Sequence, residues 1–125
     1  MYFMEFLFNT IEVADLDQSY EFYSEILKLE VVRRIEPEEG VKIIFLEDGE
    51  ENTVELIERS GESKADKAKE SKIKMGFGVE DLDQTIRFLQ EKGIEIKEGP
   101  VQIKGGSFIN IEDPDGVMIG LYEFK

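Results

Sequence analysis

The chain has 125 residues with 41% hydrophobic content, enough for one compact domain or for two small modules sharing a core. It contains no cysteine and no histidine, which excludes disulfides, thiolate and imidazole metal ligands and a cysteine nucleophile, and leaves acid–base work to Glu, Asp, Lys or Tyr. Its net charge of −14, with −11 in residues 1–60 and −3 in residues 61–125, makes nucleic acid and anionic membranes poor partners.

The first stretch, "MYFMEFLF", is apolar but short, carries Glu5, and lacks a basic flank and a cleavage site. No signal peptide or membrane span is expected, and a cytoplasmic protein is the expectation. "FLFNTIEV" alternates as a strand. Asp15, followed three residues later by Gln18, reads as a helix-opening box, and Leu16, Tyr20, Tyr23 and Leu27 make the apolar stripe of the helix it opens. Strand-like runs follow at 30–36, 41–47 and 53–58, the last two joined by the turn sequence "EDGEEN". A polar, charged segment comes next, with 61–70 expected as a linker.

The pattern then repeats. "SKIKMGFGV" alternates as a strand, Asp81 and Gln84 form a second box, Leu82, Ile86 and Leu89 form the stripe, and Gly93 ends the helix. Runs at 94–97, 107–112 and 117–124 read as strands, with "DPDG" as the turn between the last two. "DLDQSYEFY" at Asp15–Tyr23 recurs 66 residues later as "DLDQTIRFL" at Asp81–Leu89. Both halves therefore read strand, helix, strand, strand, strand.

Strand alternation assigns faces. Leu7, Ile11 and Val13 share the helix side of the first strand, and Phe6, Phe8, Thr10 and Glu12 share the other. Ile73, Met75, Phe77 and Val79 oppose Lys74, Gly76 and Gly78 in the second module. In the last strand, Val117, Ile119 and Leu121 oppose Met118, Gly120, Tyr122 and Phe124. A curved sheet with helices on its convex side would point the second faces into a trough. Gly76, Gly78 and Gly120 would then leave room there, or permit tight strand packing.

"FNTIEVADLDQSYEFYSEILKLEVVRR" and "KMGFGVEDLDQTIRFLQEKGIEI" resemble the module openings of the vicinal oxygen chelate superfamily, and "GPVQIKGGSFINIEDPDGVMIGLYE" resembles the closing hairpin of its glyoxalase I branch. That superfamily includes glyoxalases, bleomycin-binding resistance proteins, fosfomycin-modifying enzymes and extradiol dioxygenases. The resemblance implies an α+β fold in which two βαβββ modules, 1–60 and 71–125, form a single domain. Its open, cupped eight-stranded mixed sheet would carry the helices on the convex side, usually in a homodimer.

The superfamily's metal enzymes place a His and a Glu from each module on the cavity face. Carried over, the four positions are Phe8, Glu55, Lys74 and Gly120, of which only Glu55 has a ligand side chain. No metal or other cofactor is therefore expected, and glyoxalase chemistry, which needs a Lewis-acid metal and a carboxylate base, loses its basis. The resemblance makes Glu55 and Lys74 converge, so they are the candidate catalytic or ligand-orienting pair, or a structural ion pair. Phe6, Phe8, Gly120 and Tyr122 are the candidate ligand-binding residues, with the aromatics as a wall or as core. Lys104 in "KGG" is either an anion contact or a solvated loop lysine.

Three functions follow: a metal-free binding protein for a small molecule, a metal-independent lyase or isomerase using Glu55 and Lys74, and a non-catalytic dimeric scaffold.

Overall fold

The computed structural model describes residues 7–60 and 73–125. The chain divides into two compact units, Met1–Ala68 and Lys69–Lys125. The expected linker at 61–70 lies outside the described residues.

The first unit runs β1 (Asn9–Glu12), α1 (Leu16–Glu21, continued by a π-helical turn at Phe22–Ile26), β2 (Glu30–Glu38), β3 (Val41–Glu47) and β4 (Thr53–Arg59). The second runs β5 (Lys74–Gly78), α2 (Leu82–Glu91), β6 (Glu98–Ile103), β7 (Gly106–Glu112) and β8 (Met118–Phe124). Each makes a four-stranded mixed sheet of the same topology, ordered β1-β4-β3-β2 and β5-β8-β7-β6. In each, the first strand runs parallel to the last and the other pairings are antiparallel. These are two α+β βαβββ modules, as the repeat implies.

The same devices build both. Asp15 Oδ1 accepts the Gln18 N–H at 3.1 Å, and Asp81 Oδ1 accepts the Gln84 N–H at 3.0 Å, so each aspartate satisfies one of the unpaired donors of a helix start. A second carboxylate, from the unit's last strand, takes the first helical N–H. Leu16 donates to Glu58 Oε1 at 2.7 Å, and Leu82 donates to Glu123 Oε1 at 2.6 Å. The hairpin turns match as well. Asp48 Oδ1 accepts from the Glu50 and Asn52 N–H groups at 2.8 and 3.2 Å. Asp113 Oδ1 accepts from those of Asp115 and Val117, each at 2.8 Å.

The offset between the copies changes from 66 residues at the helix starts to 65 at these turns, and the π-helical turn explains it. Leu27 N–H reaches back five residues to Phe22 O at 3.2 Å, whereas its counterpart Lys92 N–H reaches back four to Phe88 O at 3.1 Å. One additional residue is thus absorbed in the widened turn, and both strands that follow keep their place. Lys28 (φ 63°) then takes the left-handed position that Gly93 (φ 75°) occupies in the second unit.

Each helix covers one face of its own sheet. Val13, Leu16 and Tyr23 are buried with Ile44, Leu46 and Leu56; Leu82 and Leu89 are buried with Ile109, Ile111, Ile119 and Leu121. Each such side chain contributes roughly 1.5–3 kcal/mol through removal from water. Two expectations shift. Leu7, placed on the helix side of the first strand, is 63% exposed, because β1 begins only at Asn9. The strand expected at 94–97 forms instead at Glu98–Ile103. Ile94 N–H is bound back to Leu89 O at 2.9 Å to close the helix, and pairing with β7 begins at the Lys97 N–H to Asn110 O bond of 2.8 Å. No helix of the described residues is long and apolar enough to cross a membrane.

Candidate functional site

The helix-free faces carry Phe8 and Glu55 in the first unit and Lys74, Gly120 and Tyr122 in the second. In the first unit, register sets Thr10 beside Glu55 and Phe45 beside Glu55 on the other flank. Thr10 Oγ1 donates to Glu55 Oε1, which holds the half-buried carboxylate on this face. Phe8 packs edge-on against Phe45, with ring centroids 5.8 Å apart at 78°. Phe6 lies outside the described residues. A cavity of about 310 Å³ lies elsewhere in this unit, lined by Leu16, Asp17, Arg34, Ile35, Lys42 and Ile44 among others, and neither Phe8 nor Glu55 borders it.

In the second unit, Lys74, Gly120 and Tyr122 come together. Lys74 Nζ stands 4.7 Å from the ring centroid of Phe108 and 5.2 Å from that of Tyr122. Phe108, Tyr122 and Phe124 stack in sequence, with centroids 5.0 and 5.8 Å apart at 23° and 8°. A Cβ on Gly120 would stand 2.6 Å from Lys74 Cε, 2.7 Å from Tyr122 Cε1 and 3.2 Å from Asn110 Oδ1. The lysine stem thus uses the space that a side chain at Gly120 would need. Gly78 faces open space, and Gly76 meets the Tyr122 ring at ordinary contact distance.

Asn110, Phe108 and Phe45 were missed in reading the sequence. Phe108 and Asn110 alternate with the core residues Ile109 and Ile111 along β7, so the period of two in "GSFINIE" was the available signal.

These residues do not fit a divalent cation. Of the four positions marked by the resemblance, Phe8 offers a phenyl ring, Lys74 a positive charge and Gly120 no side chain, while Glu55 is engaged by Thr10. Among the described residues, no three His, Cys, Asp or Glu side chains are grouped so as to hold an ion. What the second face can do is hold a flat or charged organic group against stacked rings beside a buried amide.

Fold and face together define a protein of the two-module βαβββ architecture in which no set of chelating side chains is grouped among the described residues. Residues 7–121 match the Glyoxalase/Bleomycin resistance protein/Dioxygenase superfamily, and the chain belongs to it. It is 32% identical over 128 residues to the lactoylglutathione lyase of Haemophilus influenzae, covering 98% of this chain and 94% of that protein. It is 34% identical over 122 residues to a probable chloroplastic lactoylglutathione lyase of Arabidopsis thaliana, covering 89% of this chain but spanning only 33% of that protein. Among solved structures, the trypanothione-dependent glyoxalase I of Leishmania major superposes with a TM-score of 0.81 at 29% identity, covering 96% of this chain and 86% of that one.

Proposed function

We propose that this chain is a metal-independent member of its superfamily that binds a small organic molecule on the helix-free face of its second sheet. The observation that carries the reading is the Lys74 side chain, whose ammonium lies on Phe108 and Tyr122 and whose stem lies over Gly120. A protein retaining chelation there would need a ligand side chain at both positions. It has a cation at one and none at the other. Tyr122 supplies the aromatic wall, Gly120 the recess and Lys74 an exposed charge beside them. On the first unit's face, Phe8 and Glu55 offer a ring and a carboxylate of the same kind. In this reading Glu55 and Lys74 belong to the binding faces and perform no chemistry, so the lactoylglutathione lyase activity named for the relatives is absent. A homodimer is part of the proposal, supported by the superfamily's usual assembly, and light scattering of the purified chain tests it.

The experiment for the function is a metal analysis joined to a ligand screen. Protein from cells grown with added nickel and zinc should hold far less than one equivalent of either after dialysis. Chelator should leave its melting temperature unchanged, while flat ring compounds should raise it. Stoichiometric metal, or isomerisation of the methylglyoxal–glutathione hemithioacetal at an enzymatic rate, would refute the proposal.

A further inference from the structure

Asn110 is 5% exposed, and its Oδ1 has no hydrogen-bond partner among the described residues. Its orientation is set by its other end, since Nδ2 donates to Glu98 Oε1 at 2.7 Å, and a flipped amide would face that carboxylate with its oxygen. The lone acceptor borders the space over Gly120, where Lys74 Cε and the Tyr122 ring also stand. The lysine stem and the acceptor therefore border the same small space over Gly120, while the lysine nitrogen rests on the rings. A buried acceptor without a donor costs folding free energy, and an exposed lysine can swing away without moving backbone.

What is uncovered favours positive charge. It comprises the faces of two aromatic rings, an amide oxygen and the nearby Glu98 carboxylate, in a chain of net charge −14. The neighbouring Lys97 ammonium is already held by Glu95 at 3.2 Å and Glu112 at 3.8 Å. We infer that Lys74 is a displaceable cover on an amine site, and that the ligand is an aromatic primary amine. Its ammonium would enter over Gly120 and donate to Asn110 Oδ1, and its ring would lie on the Phe108–Tyr122 surface. This deepens the small-molecule reading above and rests on it.

The test is a nuclear magnetic resonance titration of the full chain with benzylammonium, with benzyl alcohol and benzoate as matched neutral and anionic probes. Benzylammonium should move the Asn110 side-chain amide and the Gly120 backbone amide, and should free the Lys74 ε-methylene signals. Lys74→Ala, at an exposed position, should tighten its binding about fivefold by removing the cover. Asn110→Leu should weaken it by about tenfold or more through loss of the acceptor, and Gly120→Ala should do the same by filling the recess. Should Asn110→Leu not fold, the Lys74→Ala result decides. Weaker amine binding in Lys74→Ala would overturn the inference. Benzoate moving these residues while the amine does not would overturn the amine class and leave small-molecule binding standing. Silence from all three probes at this face would remove both.

Discussion

Lys74 Cε lies 2.6 Å from where the Cβ of a side chain at residue 120 would begin, so the lysine conformation and the absent side chain at Gly120 are one arrangement. Gly120→Ala should therefore destabilise the protein by about 1–3 kcal/mol, the usual cost of overpacking. Part of that cost arises from the Tyr122 ring, whose Cε1 would be 2.7 Å away, and part from the lysine. In a Lys74→Ala background the penalty should fall by at least about 0.5 kcal/mol, a coupling that a double-mutant cycle in urea would measure. Full additivity would show that the two positions are independent.

The π-helical turn at Phe22–Ile26 predicts an asymmetry in tolerance to deletion. Removing the exposed Glu25 should convert the turn to regular α-helix and leave stability within about 1 kcal/mol of the parent, because the first unit has one residue more than the second over this stretch. Removing Gln90 from α2, which has no spare residue, should cost more than about 3 kcal/mol by dragging Leu89 or Ile94 out of place. Chemical denaturation of the two deletion variants separates them.

Each helix start is held by two carboxylates, which sets expected costs. Asp15→Ala and Asp81→Ala should each lower stability by about 1 kcal/mol, the typical value of an N-cap. Glu58→Gln, which keeps the acceptor oxygen but removes the charge near the positive end of α1, should cost about 0.3–1 kcal/mol. High salt should shrink the glutamate effect and leave most of the aspartate one.

Asp48 has a defined pH signature. The Asn52 side chain is the main cause of its lowered pKa, followed by the Glu50 backbone N–H, because both donate to the ionised carboxylate. A group whose pKa is lowered by folding stabilises the folded state above its unfolded value, and that contribution is lost as pH falls through the folded value. Asn52→Ala should raise the Asp48 pKa toward the ordinary aspartate range, as a carboxyl-carbon titration would record. The stabilities of parent and variant should converge in acid. A pKa unmoved by Asn52→Ala would assign the shift to the backbone alone.

Much of the fold could be read from local chemistry. Asp15 and Asp81 announced both helix starts, the stripes from Leu16 and Leu82 announced which helix faces are buried, and period-two alternation placed Phe8, Lys74, Gly120 and Tyr122 on the helix-free faces. The absence of histidine and cysteine by itself excludes imidazole and thiolate ligands. These signals work because caps, turns and periodicity act between residues close in the chain.

Other features depend on residues far apart in sequence. The second cap from Glu58 or Glu123 comes from a strand about forty residues beyond the helix it serves. The location of the additional residue became visible only through the hydrogen bond from Leu27 back to Phe22, since the sequence shows the copies falling out of step but not where. Lys74 alone suggested a catalytic or ligand-orienting partner for Glu55, or one half of a structural ion pair. Only the parallel pairing of β5 with β8 and the antiparallel pairing of β8 with β7 set it over Gly120, against Phe108 and Tyr122 and near an Asn110 oxygen that has no hydrogen-bond partner among the described residues. Strand order brings those side chains together, and strand order is decided by the burial of the whole sheet, which no single stretch of sequence contains.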